Sequence, residues 1–500
     1  MLSTEVLIWW YAVVVATGVC QLLLQTHVLF VALAQAILLL LPWVFRTLEH
    51  SGSMATLVFA AIFTKLFVVS QWVKIVLLQA ADSHLDRPVE TVFVLLLSLL
   101  AFWVAALAAS PLITKRGGLV RIPQDPDFLL RIAGVAVGLC VASILLRYDV
   151  GLSRVGDAEY TEGEGLVILF YLGQLMPLAV AALTARAFIQ SGGRRYVDSL
   201  VVLVLLAGFL QGLWENQRWI MMGGFVAFVA TYFSYGGRLR VRHLVLIVAM
   251  AAPMQFVVFP LVDLQRSFRR DISAMEYASR TAETFVDLLD TEESAREREE
   301  LNNMYRSWDT RLYYGDPTGF FDRFSPNPLD ETIHYFDLGG ELGFDHLVNQ
   351  LAYGVPNMLL RMVGIERQPR GGIVLETAIH GKSSNMNYGV MAEVFAAVGY
   401  WYFFPVLTVI VFLYILGLHV VYGRFQYNYF AAFGFSTLYF NFAVADLGDI
   451  IPQLTIQGTL NVIVLAATAV VCGRLGPLRS EPRSEHDRAQ AGRAVEDTGA

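Results

Sequence analysis

Charge is scarce in this chain. Asp, Glu, Lys and Arg make up 16% of 500 residues, against about 25% in an ordinary soluble domain, and mean hydropathy is +0.54. The formal net charge of −7 is spread out, which gives no basic surface for a nucleic acid. Cysteine is also rare: Cys20, Cys140 and Cys472 all lie in or beside apolar runs, so the polar part of the chain has no disulfide framework. HExxH, CxxC, GxxxxGK[ST] and carboxylate pairs at metal spacing are all missing, so neither a metal nor a nucleotide cofactor is expected. The N-terminus has Glu5 where a signal peptide has basic residues, and no small-residue cleavage site follows. The first apolar run is therefore expected to be a retained span. No internal repeat is visible at a fixed period.

What the chain has instead is apolar length. Runs near 5–24, 27–45, 54–79, 90–113, 129–147, 165–189, 198–214, 219–235, 244–262, 389–422, 428–446 and 452–472 each approach the roughly 20 residues that cross a bilayer. In lipid such segments must be helices, because no water satisfies open backbone groups. The expected fold is an all-α polytopic membrane protein of about 12 transmembrane helices. Helices 1–9 fill 1–261, a large external loop with amphipathic helices fills 262–388, helices 10–12 fill 389–472, and a disordered tail fills 473–500. That tail mixes charge with Gly and Pro and has almost no apolar residues, so it cannot bury enough surface to fold.

The gaps between runs alternate in charge. Lys115, Arg116 and Arg121, then Arg194 and Arg195, then Arg238, Arg240 and Arg242, then Arg424 mark one side. Asp149, Asp157, Glu159, Glu162 and Glu164, and later Asp446 and Asp449, mark the other. Basic loops face the cytoplasm, so both termini are expected inside and the 262–388 loop outside.

The loop itself changes character along its length. Arg266 to Trp308 reads as helix, with Met275, Ala278, Ala282, Phe285, Leu288 and Leu289 at three- and four-residue steps. The Glu/Arg run 292–300 reads as a solvated face. WDTRLYYGDPTGFFDRFSPNPLDETIHYF is dense in aromatics, Arg and Asp. Rings that stack on sugars and side chains that bond hydroxyls suit a glycan, and a headgroup-depth aromatic belt is the plainer reading. Leu347 to Val363 has helical apolar spacing and fits a short helix lying on the bilayer. HGKSSNMNYG at 380–389 puts small polar residues at a helix start, where free N–H groups suit an anion.

Ionisable residues at membrane depth are the other candidates. Arg218 stands in WENQRWIMMGG at the outer end of run eight, with Glu215 three residues earlier as a pairing partner. Gly223 and Gly224 allow close helix approach there. Lys65 lies near the centre of run three, Glu393 one turn inside run ten, and Lys74 nearer an end where snorkelling is the expectation.

Three of these features together resemble the Wzy-type O-antigen and exopolysaccharide repeat-unit polymerases. They are the dozen spans with one large late external loop, the turn NQRWIMMGG, and the loop exit GKSSNMNYGVMAEVFAAVGYWYFFP. The architecture covers nearly the whole chain, and the two motifs cover about 40 residues. The resemblance implies a metal-independent glycosyltransferase in the bacterial inner membrane that joins polyprenyl-pyrophosphate-linked glycans at the outer face. It implies membrane lipids, a chain-length regulator and a repeat-unit flippase as partners. Arg218 matches the family's Arg-containing turn. Arg266, Arg269, Arg270, Arg311 and Arg323 are unaligned loop candidates for pyrophosphate or glycan, and His334 and His380 are candidate bases. Two other readings stay open. One is an O-antigen ligase or another lipid-dependent glycosyltransferase; the other is a transporter or lipid flippase, which shows broken helices at matching places.

Overall fold

A computed structural model describes residues 4–115, 122–149, 164–215, 218–237, 325–355, 357–364, 369–381, 388–438 and 447–471, with isolated positions between 258 and 283. The described residues form helices and no named strand. The first half contains α1 (Thr4–Leu23), α2 (Val28–Ser51), α3 (Ala55–Val76), α4 (Pro88–Lys115), α5 (Pro126–Asp149), α6 (Glu164–Gly173), α7 (Met176–Gln190), α8 (Ser199–Trp214) and α9 (Arg218–Ser234). The second half contains α10 (Asn327–Asp337), α11 (Phe344–Gln350), α12 (Asn357–Met362), α13 (Gly371–His380), α14 (Gly389–Tyr422), α15 (Tyr429–Leu438), α16 (Leu447–Pro452) and α17 (Gly458–Val471). Among the described residues, seven helices are long and apolar enough to cross a membrane, and four shorter apolar ones join them. Run nine, near 244–262, and the tail beyond 472 lie outside the described residues.

Helix ends are set by local chemistry. Pro88 and Pro126 open α4 and α5, where a missing N–H costs nothing. Asp198 caps α8 by accepting from the Val201 N–H at 2.9 Å, and Asn428 does the same for Ala431 ahead of α15 at 3.0 Å. Three runs that read as single spans are interrupted. α3 contains a π-helical turn over Thr64–Val68 that buries Lys65. Run six breaks at Gln174–Leu175 into α6 and α7. α14 kinks at Gly399 (φ 62°), where a Cβ would lie 2.4 Å from the Phe336 ring. Only glycine fits that combination of backbone and neighbour, and it explains why run ten is longer than one span needs.

The alanine-rich α7 lies at the centre of one half, flanked by α5, α8, α9 and α15. Small residues permit that close packing: Gly223 and Gly224 of α9 rest on Pro177 and Val180 of α7. In the other half α4 packs along α2 and α14, with Phe59, Phe63 and Phe102 in mutual contact at 4.9–6.1 Å between ring centres.

The connections sort into two groups, one at each end of the bundle. At one end the Phe425 N–H donates to Gly52 O at 2.8 Å and the Tyr427 N–H to Ser234 O at 2.9 Å. Gln124 reaches Tyr427 O at 3.0 Å, and the Tyr196 hydroxyl reaches Tyr235 O. At the other end the His27 N–H donates to Asp82 at 2.8 Å, and the turn after α3 is tied to α10. Among the described residues, the gaps that carry Arg195 and Arg424 fall together at the first of these ends.

Candidate functional site

The end that carries α10–α13 holds an unusual density of buried acids. Asp330 on α10 accepts the N–H groups of Asp86 and Arg87 at 2.8 and 2.9 Å and the Thr91 hydroxyl at 2.8 Å. Arg87 pairs with Asp337 at 3.0 Å. These contacts fasten α10 onto the start of α4, so the loop segment lies on the spans rather than apart from them.

The next residue, Glu331, faces the opposite partners. The Tyr388 hydroxyl, just ahead of α14, donates to Glu331 Oε2 at 3.0 Å. His380, the last residue of α13, places Nε2 at 2.8 Å from the Tyr388 oxygen and 3.3 Å from Glu331 Oε2. Tyr388 has one proton, and it goes to the carboxylate. His380 Nε2 must then be the donor to Tyr388, which leaves Nδ1 as the basic nitrogen of the neutral ring. Burial pushes the Glu331 carboxyl above the usual carboxylate range, an effect the hydrogen bond from Tyr388 opposes. Burial and the Glu331 charge hold the Tyr388 hydroxyl far above the usual range, so it stays a donor. Glu331 is 6% exposed, and its Oε1 has no hydrogen-bond partner among the described residues. Such an atom costs about 1–3 kcal/mol to bury.

Two further networks flank this cluster. Glu393, fully buried one turn into α14, contacts His346 Nε2 at 3.0 Å and accepts the Leu447 N–H at 2.7 Å. It clamps α11 and α16 to α14. Gly371 packs on the Glu393 carboxylate with no room for a Cβ. Beneath the α8–α9 turn, Glu215 pairs with Arg147 of α5 at 3.0 and 3.2 Å, with both side chains 3% exposed or less. Gln211 donates to Glu215 and to the Gly173 carbonyl, both at 2.8 Å, so the pair is tied to the α6–α7 break. A Cβ on Gly212 would meet the Met221 backbone at 2.5 Å; α8 and α9 touch directly, and Arg218 opens α9 just above that contact.

The sequence-predicted residues therefore fare differently. His380 falls in a built cluster. His334 lies on α10 one turn past Glu331, with a buried Nδ1 that has no hydrogen-bond partner among the described residues. Glu215 is buried in an ion pair with Arg147, whose guanidinium α5 brings to its level. Arg218 starts α9, and its side chain is outside the described residues, as are Arg266, Arg269, Arg270, Arg311 and Arg323. Lys74 corrects the snorkelling expectation: the turn after α3 folds back over it, and its amine meets Ser83 O and Oγ at 3.0 and 2.8 Å and His84 Nδ1 at 3.2 Å. Sequence reasoning missed Glu331, Tyr388 and Arg147. Tyr388 and Glu331 lay within segments that stood out by composition, and Arg147 carried no pattern, since its partner comes from a distant helix. No family model, curated protein or solved structure matches the chain.

Proposed function

We propose that the chain is a membrane glycosyltransferase that joins polyprenyl-pyrophosphate-linked oligosaccharide repeat units at the outer face of the inner membrane. The observation that carries this reading is the position of His380 and Tyr388. They bracket the small polar segment of the loop exit that resembles the polymerases, and a buried acid joins them there.

The chemistry asks for two things. An acceptor hydroxyl must lose its proton as its oxygen attacks the anomeric carbon of the donor glycan. The bond from that carbon to the lipid pyrophosphate must break, with the electron pair leaving on the phosphate oxygen. His380 Nδ1 takes the proton, and Glu331 stabilises the imidazolium through Nε2–H, directly and through the Tyr388 hydroxyl. Arg218, with a permanent planar charge at the outer end of α9, suits the departing pyrophosphate. No step needs a nucleotide, since pyrophosphate is already a good leaving group.

The transport reading draws on one specific observation, the break between α6 and α7 with Gln174 bonded to Gln457 at 2.8 Å in a second irregular turn. The test separates the two. Purified full-length protein in lipid bilayers is given lipid-linked repeat units. Free polyprenyl pyrophosphate appearing with longer glycans supports the transferase; movement of the substrate across the bilayer with its pyrophosphate bond intact supports transport and rejects the transferase.

A further inference from the structure

α11 and α12 are built inside out for a segment in water. α11 turns its polar side chains inward: His346 meets Glu393 at 3.0 Å, and Gln350, fully buried, donates to Pro369 O at 3.3 Å. Apart from Asp345, the exposed residues of α11 and the turn after it are Phe344, Val348 and Leu351, at steps of four and three, which is a single helical stripe. The stripe continues through Val355, and α12 repeats it with Leu359, Met362 and Val363. Leu351 is 63% and Met362 74% exposed. A water-facing helix has the reverse pattern, so this face is made for an apolar surrounding.

The neighbours say which surrounding. Gly354, between α11 and α12, packs on Ile451 and Thr455 at the start of the last span, and His346 is fixed to Glu393 one turn inside α14. Both contacts set the stripe level with the ends of two spans whose own outward faces are apolar, including Val409, Leu413 and Ile463. The stripe therefore sits at the end of two spans whose outward faces are apolar along their length. Exposed Arg361, and Arg370 stacked over Tyr353 at 5.8 Å, lie beside it, where a headgroup phosphate would meet them.

We infer that α11 and α12 lie in the bilayer interface, with Phe344, Val348, Leu351, Leu359, Met362 and Val363 seated at the boundary of headgroups and acyl chains. The strap thereby fixes the depth of α10 and α13, which it connects in sequence. This holds whatever reaction the site performs.

The test is collision accessibility in full-length protein reconstituted in phosphatidylethanolamine–phosphatidylglycerol nanodiscs. Single nitroxide labels are placed through Val348→Cys, Leu351→Cys, Leu359→Cys and Met362→Cys, with Glu341→Cys as the water-facing control. All five positions are exposed, so the labels leave the fold intact. The expected result is strong relaxation by oxygen and loss of relaxation by the aqueous nickel chelate at the four stripe positions, with the opposite at 341. Chelate relaxation at the stripe equal to that at 341 places the strap in water and overturns the inference. Protection from both reagents means protein covers the stripe, and that also overturns it.

Discussion

The two ends of the helical bundle are held by different chemistry. At the end where Gly52, Ser234 and Phe425 meet, the ties are mostly neutral: backbone pairs, the Asn428 amide, and the rings of Phe188, Tyr196, Tyr232 and Tyr235 at 4.6–5.4 Å, with one partly buried ion pair, Arg186 to Asp198 at 3.2 Å. Asn428 satisfies both of its polar atoms on the local backbone. At the opposite end the ties are ionisable. Asp330, Glu331, Asp337 and Glu393 meet Arg87, His346, His380 and Tyr388. A neutral network closes a fold at little risk. A buried acid with an unpartnered oxygen costs stability, and proteins keep such groups chiefly where chemistry uses them. Under the proposed function, the contrast would put structure at one end and reaction at the other.

The largest expected effect sharpens the contrast by breaking a charge at membrane depth. Arg147→Ala leaves Glu215 buried and unpaired, which costs about 3–5 kcal/mol; thermal unfolding in detergent should show it. Replacing both partners together, Arg147→Met with Glu215→Leu, should recover most of that loss. If the single variant unfolds like the wild type, the pair carries no structural weight.

Next comes Arg218 at the start of α9. Arg218→Ala should leave the protein inserted and folded, yet slow polymer formation by about 10²–10³, with single repeat units accumulating. Arg218→Lys should recover only part of the rate, because an ammonium lacks the bidentate fork. Normal polymer from Arg218→Ala would make the residue a snorkelling anchor.

At the neutral end, Asn428→Ala removes a helix cap and should cost about 1 kcal/mol, read as a lowered unfolding midpoint. The smallest effect is in pH. Because burial raises Glu331 in the folded state, its contribution to stability is complete below the unfolded carboxylate value of about 4.3. It is lost as pH rises from there through the folded value. Glu331→Gln should flatten that part of the stability–pH curve; an unchanged slope would mean the carboxyl is not desolvated.

Much of the architecture was legible because lipid allows few solutions. Long apolar runs must be helices, and among the described residues they are. The breaks were less legible. Nothing in GQLMP around 173–177 says that Gln211 takes the Gly173 carbonyl, and the kink at Gly399 needs Phe336, 63 positions away in sequence, to make sense. Of the cluster of Glu331, His380 and Tyr388, only His380 was singled out by sequence, at the start of the loop-exit motif. The site was hidden where the partner arrived through tertiary packing, as with Glu331 and Arg147. The spacing of Glu215 and Arg218 pointed to a local pair, and the guanidinium that α5 brings to Glu215 had no signal in the spacing.

The division between a structural and a reacting end is tested most directly by one side-by-side rate measurement. His380→Ala and Asn428→Ala, each purified at matched folded amounts, are assayed for polyprenyl pyrophosphate release from lipid-linked repeat units. Loss of a positioned base predicts a drop of about 10²–10⁴ for His380→Ala, with Asn428→Ala close to the wild-type rate. Equal rates for the two variants, or a wild-type rate for His380→Ala, would contradict the account.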